Sequence, residues 1–85
     1  MKHKIYSVYD SKAGCYLPLF TFRSRGEAIR AFTETVNDSS SSIGKYPEDY
    51  TLFELGVFDD EFGAIDLLQT PTSVGLGIDF KRISN

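Results

Sequence analysis

The chain has 85 residues, 41% of them hydrophobic and 25% charged, which is ordinary for one small globular domain. Its one cysteine, Cys15, excludes an internal disulfide and a multi-cysteine metal site, and no run approaches the ~18 apolar residues of a membrane span. The net charge of −3 is uneven: residues 1–31 hold six basic and two acidic side chains, residues 32–80 one basic and ten acidic. We therefore predict a single domain over residues 1–85, with no membrane partner and with basic and acidic regions.

The first third predicts two antiparallel strands joined by a turn. Residues 4–9 are β-branched and aromatic, as is typical of a strand, and apolar side chains stand on both of its faces. Residues 10–14 form a turn that begins with Asp and ends with Gly. Residues 15–22 predict the second strand, with three aromatic rings on one parity, and Pro18 marks an edge position or a break.

Residues 24–37 have the most sustained helical period in the chain. Four apolar side chains follow the spacing of a single helical stripe: Ala28, Ile29, Phe32 and Val36. Ser24 and Glu27 have the spacing of a capping box, which satisfies amides of the first turn. Since a helix of about 13 residues is marginal alone in water, its stripe needs a sheet to pack on, with Phe32 at the centre of that contact.

The second half predicts another hairpin after a polar connection. Residues 38–46 include a serine run and predict a mobile loop. Residues 51–58 alternate like a strand, and three side chains are expected to face the core: Phe53, Leu55 and Val57. Residues 64–68 predict the fourth strand, which breaks at 69–73. The C-terminal extension within 69–85 is either a weak further strand or a segment that docks on a neighbouring molecule.

Together these elements predict an α+β fold, in which an antiparallel β-sheet in the order ββαββ carries one helix packed on one face. A chain of this size has few layers with which to cover a second apolar sheet face. We therefore predict a homo-oligomer, in the form of a symmetric dimer, which is the commonest closed assembly.

No group of residues indicates catalysis. His3 is the only histidine, and Cys15 has no evident histidine partner that would make it a nucleophile. The acidic triplet at 59–61 lacks the spacing of a calcium loop. We predict a protein that is not an enzyme and has no catalytic residue, cofactor or metal.

Basic side chains alternate with aromatic rings in the first third, which favours single-stranded nucleic acid, because cations follow phosphates while bases stack on rings. The predicted nucleic-acid-binding residues are Lys2, Lys4, Tyr16, Phe20, Arg23, Arg25 and Arg30. The other interpretation is that the rings fill the core and the charges solvate the surface. The acidic pI near 4.9 argues against strong nonspecific binding.

Five runs, taken in order, resemble the small nonstructural protein of the gokushoviruses, the chlamydia-phage branch of the Microviridae. They are YSVYD at 6–10, GEAIRAF at 26–32, VND at 36–38, PEDY at 47–50 and LGVFDD at 55–60. Members are commonly named DNA-binding proteins, so the resemblance implies a part in single-stranded DNA synthesis or packaging in the host bacterial cytoplasm. The alternative is an adaptor that binds a viral or host replication protein without touching DNA.

Overall fold

The computed structural model describes residues 1–82, and within them one antiparallel sheet carries one main helix. The strands are β1 (Lys2–Asp10), β2 (Cys15–Tyr16), β3 (Phe20–Phe22), β4 (Tyr50–Asp59) and β5 (Ala64–Leu76). The helices are α1 (Arg25–Val36) and α2 (Ser42–Lys45), with 3₁₀ turns at Pro47–Asp49 and Gly77–Phe80. The sheet order is β2-β1-β4-β5, and β3 also pairs with β1. The antiparallel sheet with one main helix is confirmed, whereas the simple ββαββ order is not.

Two turns of the same design fix the hairpins. Gly14 and Gly63 have φ angles of 71° and 66°, a conformation that glycine adopts without strain. Carboxylate oxygens of Asp10 and Asp59 accept backbone N–H groups two residues further on, at 3.0 Å in both turns. After the first hairpin, the chain leaves the sheet around Pro18, and the predicted second strand therefore divides into β2 and β3.

Helix α1 packs on one face of the sheet, which we call the helix side. Its N-cap is Ser24, whose side-chain oxygen accepts the Glu27 N–H at 3.2 Å, as the capping box predicts. The buried core consists of Tyr6, Val8, Ala28, Phe32, Val36 and Leu52. Phe32 is buried, and the Phe80 ring meets it edge-on with ring centroids 5.6 Å apart. The predicted position of Phe32 in the helix–sheet contact is therefore confirmed.

The predicted core face of β4 is wrong for Phe53. Val8 pairs with Leu52, so Leu52 faces the helix, while Phe53 lies on the opposite face of the sheet. The register between β1 and β4 shifts between Glu54 and Gly56, so the predicted core residue Leu55 has no partner in β1. Beyond this shift, Val57 pairs with Lys4 on the helix side. Because a bulge interrupts the alternation of side chains, the odd-numbered residues of β4 lie on one face before the bulge and on the other face after it.

Strand β5 continues through residues 69–73, where the sequence predicts a break. Gly56 pairs with Leu67, and Glu54 pairs with Thr72, so β5 advances five residues while β4 advances two. The extra residues bulge from the ladder, and they include a proline, which has no N–H to donate. Because β5 is an edge strand, it tolerates this interruption without ending.

The described part of the C-terminal extension packs on its own chain. Phe80 packs on α1, and the Asn37 side-chain amide donates to the Phe80 carbonyl at 3.1 Å. The Arg82 N–H donates to the Asn37 side-chain oxygen at 2.8 Å. The last three positions of the predicted 69–85 extension lie outside the described residues.

The 38–46 segment, for which the sequence predicts a mobile loop, contains the short helix α2. Asp38 accepts the Ser40 N–H and hydroxyl at 2.9 and 2.6 Å, and Ser41 caps α2 by accepting the Gly44 N–H at 2.8 Å. Gly44 is buried, and a Cβ there would clash with the Asp38 carbonyl. These bonds define the backbone path, and the mobility of the segment stays a prediction.

Candidate nucleic-acid interface

Four of the predicted binding residues form a basic cluster where β1 and β3 meet the start of α1: Lys2, Lys4, Arg23 and Arg25. Phe22 pairs with Lys4 in the sheet, so the two arginines that follow β3 are brought to the same end of β1. Lys2 lies two residues before Lys4 on β1 and therefore on the same side of the sheet.

Glu54 lies within this basic cluster and partly neutralises it. Its Oε1 atom is 3.7 Å from the Lys4 Nζ and 3.6 Å from the Arg25 Nη2, and its side chain is 15% exposed. The Tyr6 hydroxyl donates to the same oxygen at 3.3 Å. Burial, together with the negative charge of Glu54, raises the pKa of Tyr6, so this hydroxyl remains a donor at neutral pH.

An apolar cleft of about 420 Å³ lies on the helix side and reaches the basic cluster at Phe22, which pairs with Lys4. It is lined by Val8, Leu17, Pro18, Phe20, Phe22, Ala31, Phe32, Thr35 and Ile43. The rings of Phe20 and Phe22 meet edge-on, with centroids 5.6 Å apart, and Phe22 directly precedes a residue of the cluster. The volume is within the range of sites that hold small planar ligands. Charge for a phosphate and an apolar surface for a ring therefore lie side by side.

The remaining predicted residues lie elsewhere. Tyr16 pairs with Tyr9, whereas Phe20 pairs with Tyr6, and side chains three positions apart on one strand point to opposite faces. The structure therefore separates Tyr16 from Phe20, although the sequence assigns both to one parity. Arg30 is exposed on α1, and its position in the helical turn directs it away from the sheet.

A second surface lies on the face of the sheet opposite α1, where the sequence predicts a second apolar face. We call it the open face and define it by Tyr9, Tyr16, Phe53, Phe58, Ile65 and Leu67, which the strand register places on that side. Ring centroids of Tyr9 and Tyr16 are 4.9 Å apart, and those of Tyr16 and Phe53 are 5.6 Å apart. The apolar character of both parities of β1 indicated this face in the sequence, but the residues that β4 and β5 contribute to it depend on the strand register.

The start of β1 is tied to the β4–β5 turn through one carboxylate. Asp60 Oδ1 is 2.6 Å from the Met1 amino nitrogen, and its Oδ2 is 2.8 Å from the His3 Nε2. The hydrogen bond from the amino group, followed by that from His3, lowers the pKa of Asp60, and the same carboxylate raises the pKa of the amino group. Residues 1–82 contain no group of three or more His, Cys, Asp or Glu side chains that could hold a metal ion.

The sheet with one covering helix, the basic cluster and the neighbouring cleft define a small α+β protein with a candidate nucleic-acid interface. The chain belongs to the Phage ORF5 protein family, whose model matches residues 3–80. It is therefore a bacteriophage protein, and the family resemblance drawn from its sequence is confirmed.

Protein ORF5 of Chlamydia phage 1 is a similar curated protein, with 42% identity over 62 residues. The match covers 68% of this chain and 65% of that protein's length. No solved structure matches the chain significantly. In the part of the chain that the structure describes, no helix has the length and apolar character needed to cross a membrane.

Proposed function

We propose that this protein binds single-stranded DNA through the basic cluster and the adjoining cleft, and that it does so without catalysing a reaction. Its place would be the synthesis or packaging of a single-stranded phage genome in the host bacterial cytoplasm, as the family resemblance implies. One observation carries the proposal: Phe22, which lines the cleft, pairs with Lys4 and directly precedes Arg23.

Each part of the proposed interface meets a different part of a nucleotide. The lysines and arginines would bind phosphate oxygens, and each such contact releases counterions from the DNA without reading its sequence. Phe20 and Phe22 line a cleft that could accept a base, and stacking on an aromatic ring is worth about 1–3 kcal/mol per base. Binding of this kind tolerates many sequences and weakens as the salt concentration rises.

The acidic remainder of the chain limits the expected affinity. A phosphate that approaches Lys4 and Arg25 competes with Glu54, which already lies within 3.7 Å of both cations. Repulsion from surface carboxylates extends over about 10 Å at 0.1 M salt. We therefore expect modest binding that is lost quickly as the salt concentration increases.

The test is a fluorescence-anisotropy titration of a labelled, unstructured oligonucleotide at two salt concentrations. Arg23→Ala and Arg25→Ala should each weaken binding for all sequences alike and lower the salt slope by about 1. Arg30→Ala is the matched control, because it removes the same charge from the outer side of α1. Unchanged binding in both cluster variants would show that the site is wrong.

A second candidate function is the adaptor that binds a viral or host replication protein. It is favoured by the contacts of Glu54, which leave Lys4 and Arg25 only partly available for phosphate. An adaptor would show no oligonucleotide binding even at low salt, and replacing the arginines would leave that result unchanged. The same titration therefore distinguishes the two functions.

A further inference from the structure

The β4–β5 turn extends beyond the sheet and carries an exposed ring next to three carboxylates. Lys2, the first residue of β1, pairs with Asp59, so residues 60–63 lie past the last pair of the β1–β4 ladder. Phe62 is 76% exposed, more than any other large apolar side chain among the described residues. It follows three acidic residues directly in the chain. We call residues 59–63 the acidic turn, and its exposed ring is a candidate anchor for a partner.

Hydrogen bonds hold the acidic turn in one conformation. The Asp59 carboxylate accepts the Glu61 N–H at 3.0 Å. The Asp60 N–H donates to the Met1 carbonyl at 3.1 Å, which ties the turn to the start of β1. The cleft of the same chain is lined by other residues, so Phe62 does not fill it. Burying this ring without breaking these bonds therefore requires a second molecule.

The basic cluster and the cleft match the acidic turn in charge and in chemistry. Among residues 1–82, Arg23 forms no ion pair, and the same is true of Asp59 and Glu61. Phe22 lines the cleft and directly precedes Arg23, just as Glu61 directly precedes Phe62. A ring and a cation therefore adjoin on one surface, and a ring and a carboxylate adjoin on the other. The cleft volume of about 420 Å³ has room for a phenyl ring.

We propose that the acidic turn of one copy of this chain docks on the basic cluster and cleft of a second copy. Phe62 enters the cleft, and the carboxylates of Asp59 and Glu61 face the cations beside Phe22. Opposite charges steer the two surfaces together and fix their relative orientation. The contact joins two different surfaces, and two chains related by a two-fold axis can each supply one turn and one cleft.

The acidic turn would occupy the surface that the proposed function gives to DNA. It offers the same two features as a single-stranded nucleotide, which are negative charge and a flat ring. Self-association and DNA binding would therefore compete, so the protein would release its second copy when DNA binds. This competition rests on the proposed function, whereas the contact between copies does not, because it is measured without DNA.

The first experiment measures self-association of the full-length chain by analytical ultracentrifugation. One turn in one cleft buries less than a standard interface, so we expect a weak complex that forms within a range of roughly 10–500 μM protein. The association should weaken as the salt concentration rises, since it depends on opposite charges. Phe62→Ala and Arg23→Glu should each raise its dissociation constant by roughly 30-fold or more. Tyr46→Ala is the matched control, because it removes another exposed ring from the segment that leads into the other end of the sheet, and it should leave the association intact.

The second experiment mixes the two weakened variants at equal concentrations. Phe62→Ala retains an intact basic cluster, and Arg23→Glu retains an intact acidic turn, so the mixture can form a wild-type contact that neither variant can form alone. The mixture should therefore associate more strongly than either variant. Circular dichroism confirms that each variant is folded.

A wild-type chain that stays monomeric over the whole range would overturn the proposal, as would equal weakening by Tyr46→Ala. A mixture that associates no better than its components would also overturn it, because a contact between two like surfaces cannot be restored in this way. Self-association without any oligonucleotide binding would refute the proposed function and leave the contact between copies standing.

Discussion

Glu54→Gln is expected to tighten the binding of single-stranded DNA. The substitution keeps the size of the side chain and an oxygen that accepts the Tyr6 hydroxyl, but it removes the charge that holds Lys4 and Arg25. Here the Glu54 carboxylate would compete with a DNA phosphate for the same two cations, Lys4 and Arg25.

The magnitude follows from the distances in the cluster. A phosphate oxygen in contact with Arg25 would lie about 6 Å from the Glu54 carboxylate, which is itself 3.6 Å from that arginine. Coulomb repulsion over this distance is about 0.7 kcal/mol in water and about 3 kcal/mol at an effective dielectric constant of about 20. Since both cations are almost half exposed, we expect a value near the lower bound, about 1 kcal/mol, or roughly a fivefold lower Kd.

The assay is the anisotropy titration at low salt, with Glu48→Gln as the matched control. The control substitution removes the same charge from the 3₁₀ turn that precedes β4. This turn lies beside the other end of β1, where Tyr50 pairs with Asp10. Glu54→Gln should gain affinity well beyond the control, and the gain should shrink as salt screens the charge. Equal effects of the two substitutions, or weaker binding by Glu54→Gln, would refute the assignment of Lys4 and Arg25 as phosphate contacts.

Three further predictions concern the core, the rings and the pH. Phe32→Ala should lower the free energy of unfolding by about 3–5 kcal/mol in urea denaturation, because the ring is buried between α1 and the sheet; a loss below about 1 kcal/mol would contradict that packing. Phe20→Ala should weaken oligonucleotide binding by about 1–3 kcal/mol with an unchanged salt slope. Tyr16→Ala, on the open face, should leave the affinity unchanged. The reverse result would show that bases stack on the open face and not in the cleft. The pKa of the Asp60 carboxylate is lowered, so its contribution to stability is present above the unfolded value near 3.8 and is lost as the pH falls through the folded pKa. The pKa of the Met1 amino group is raised, so its contribution to stability is present below 8.0 and is lost as the pH rises through the folded pKa. Urea midpoints measured across pH should show both changes in the wild-type chain and neither in Asp60→Asn.

The features that the sequence predicted well depend on neighbouring residues. The helix expected over residues 24–37 extends over Arg25–Val36 because Ser24 caps its first turn, a signal only three residues long. The hairpin turns were readable for the same reason, since Gly14 and Gly63 supply the left-handed conformation at the position where each turn needs it.

The errors concern pairing between distant segments. Nothing near Phe53 indicates which face of its strand a helix will cover, because both faces of the sheet are apolar and the choice depends on the register with β1. In the candidate site, the pairing of Phe22 with Lys4 places Arg23 close in sequence to a residue that lies beside β1, and the binding role of these cations stays a prediction. Tyr16 and Phe20 were wrongly grouped, because the break at Pro18 resets the alternation between them.

The bulge in β5 has a consequence for the solubility of the protein. An edge strand of 13 residues with exposed isoleucine and leucine side chains would be a template for uncontrolled addition of further strands. Here the extra residues at 68–71 twist the strand out of its ladder, and Pro71 withholds an N–H from any incoming chain. The free edge is thereby divided into two short stretches, neither long enough to seed a fibril efficiently. The same interruption that made β5 difficult to recognise in the sequence thus shortens the continuous edge with which another strand could pair.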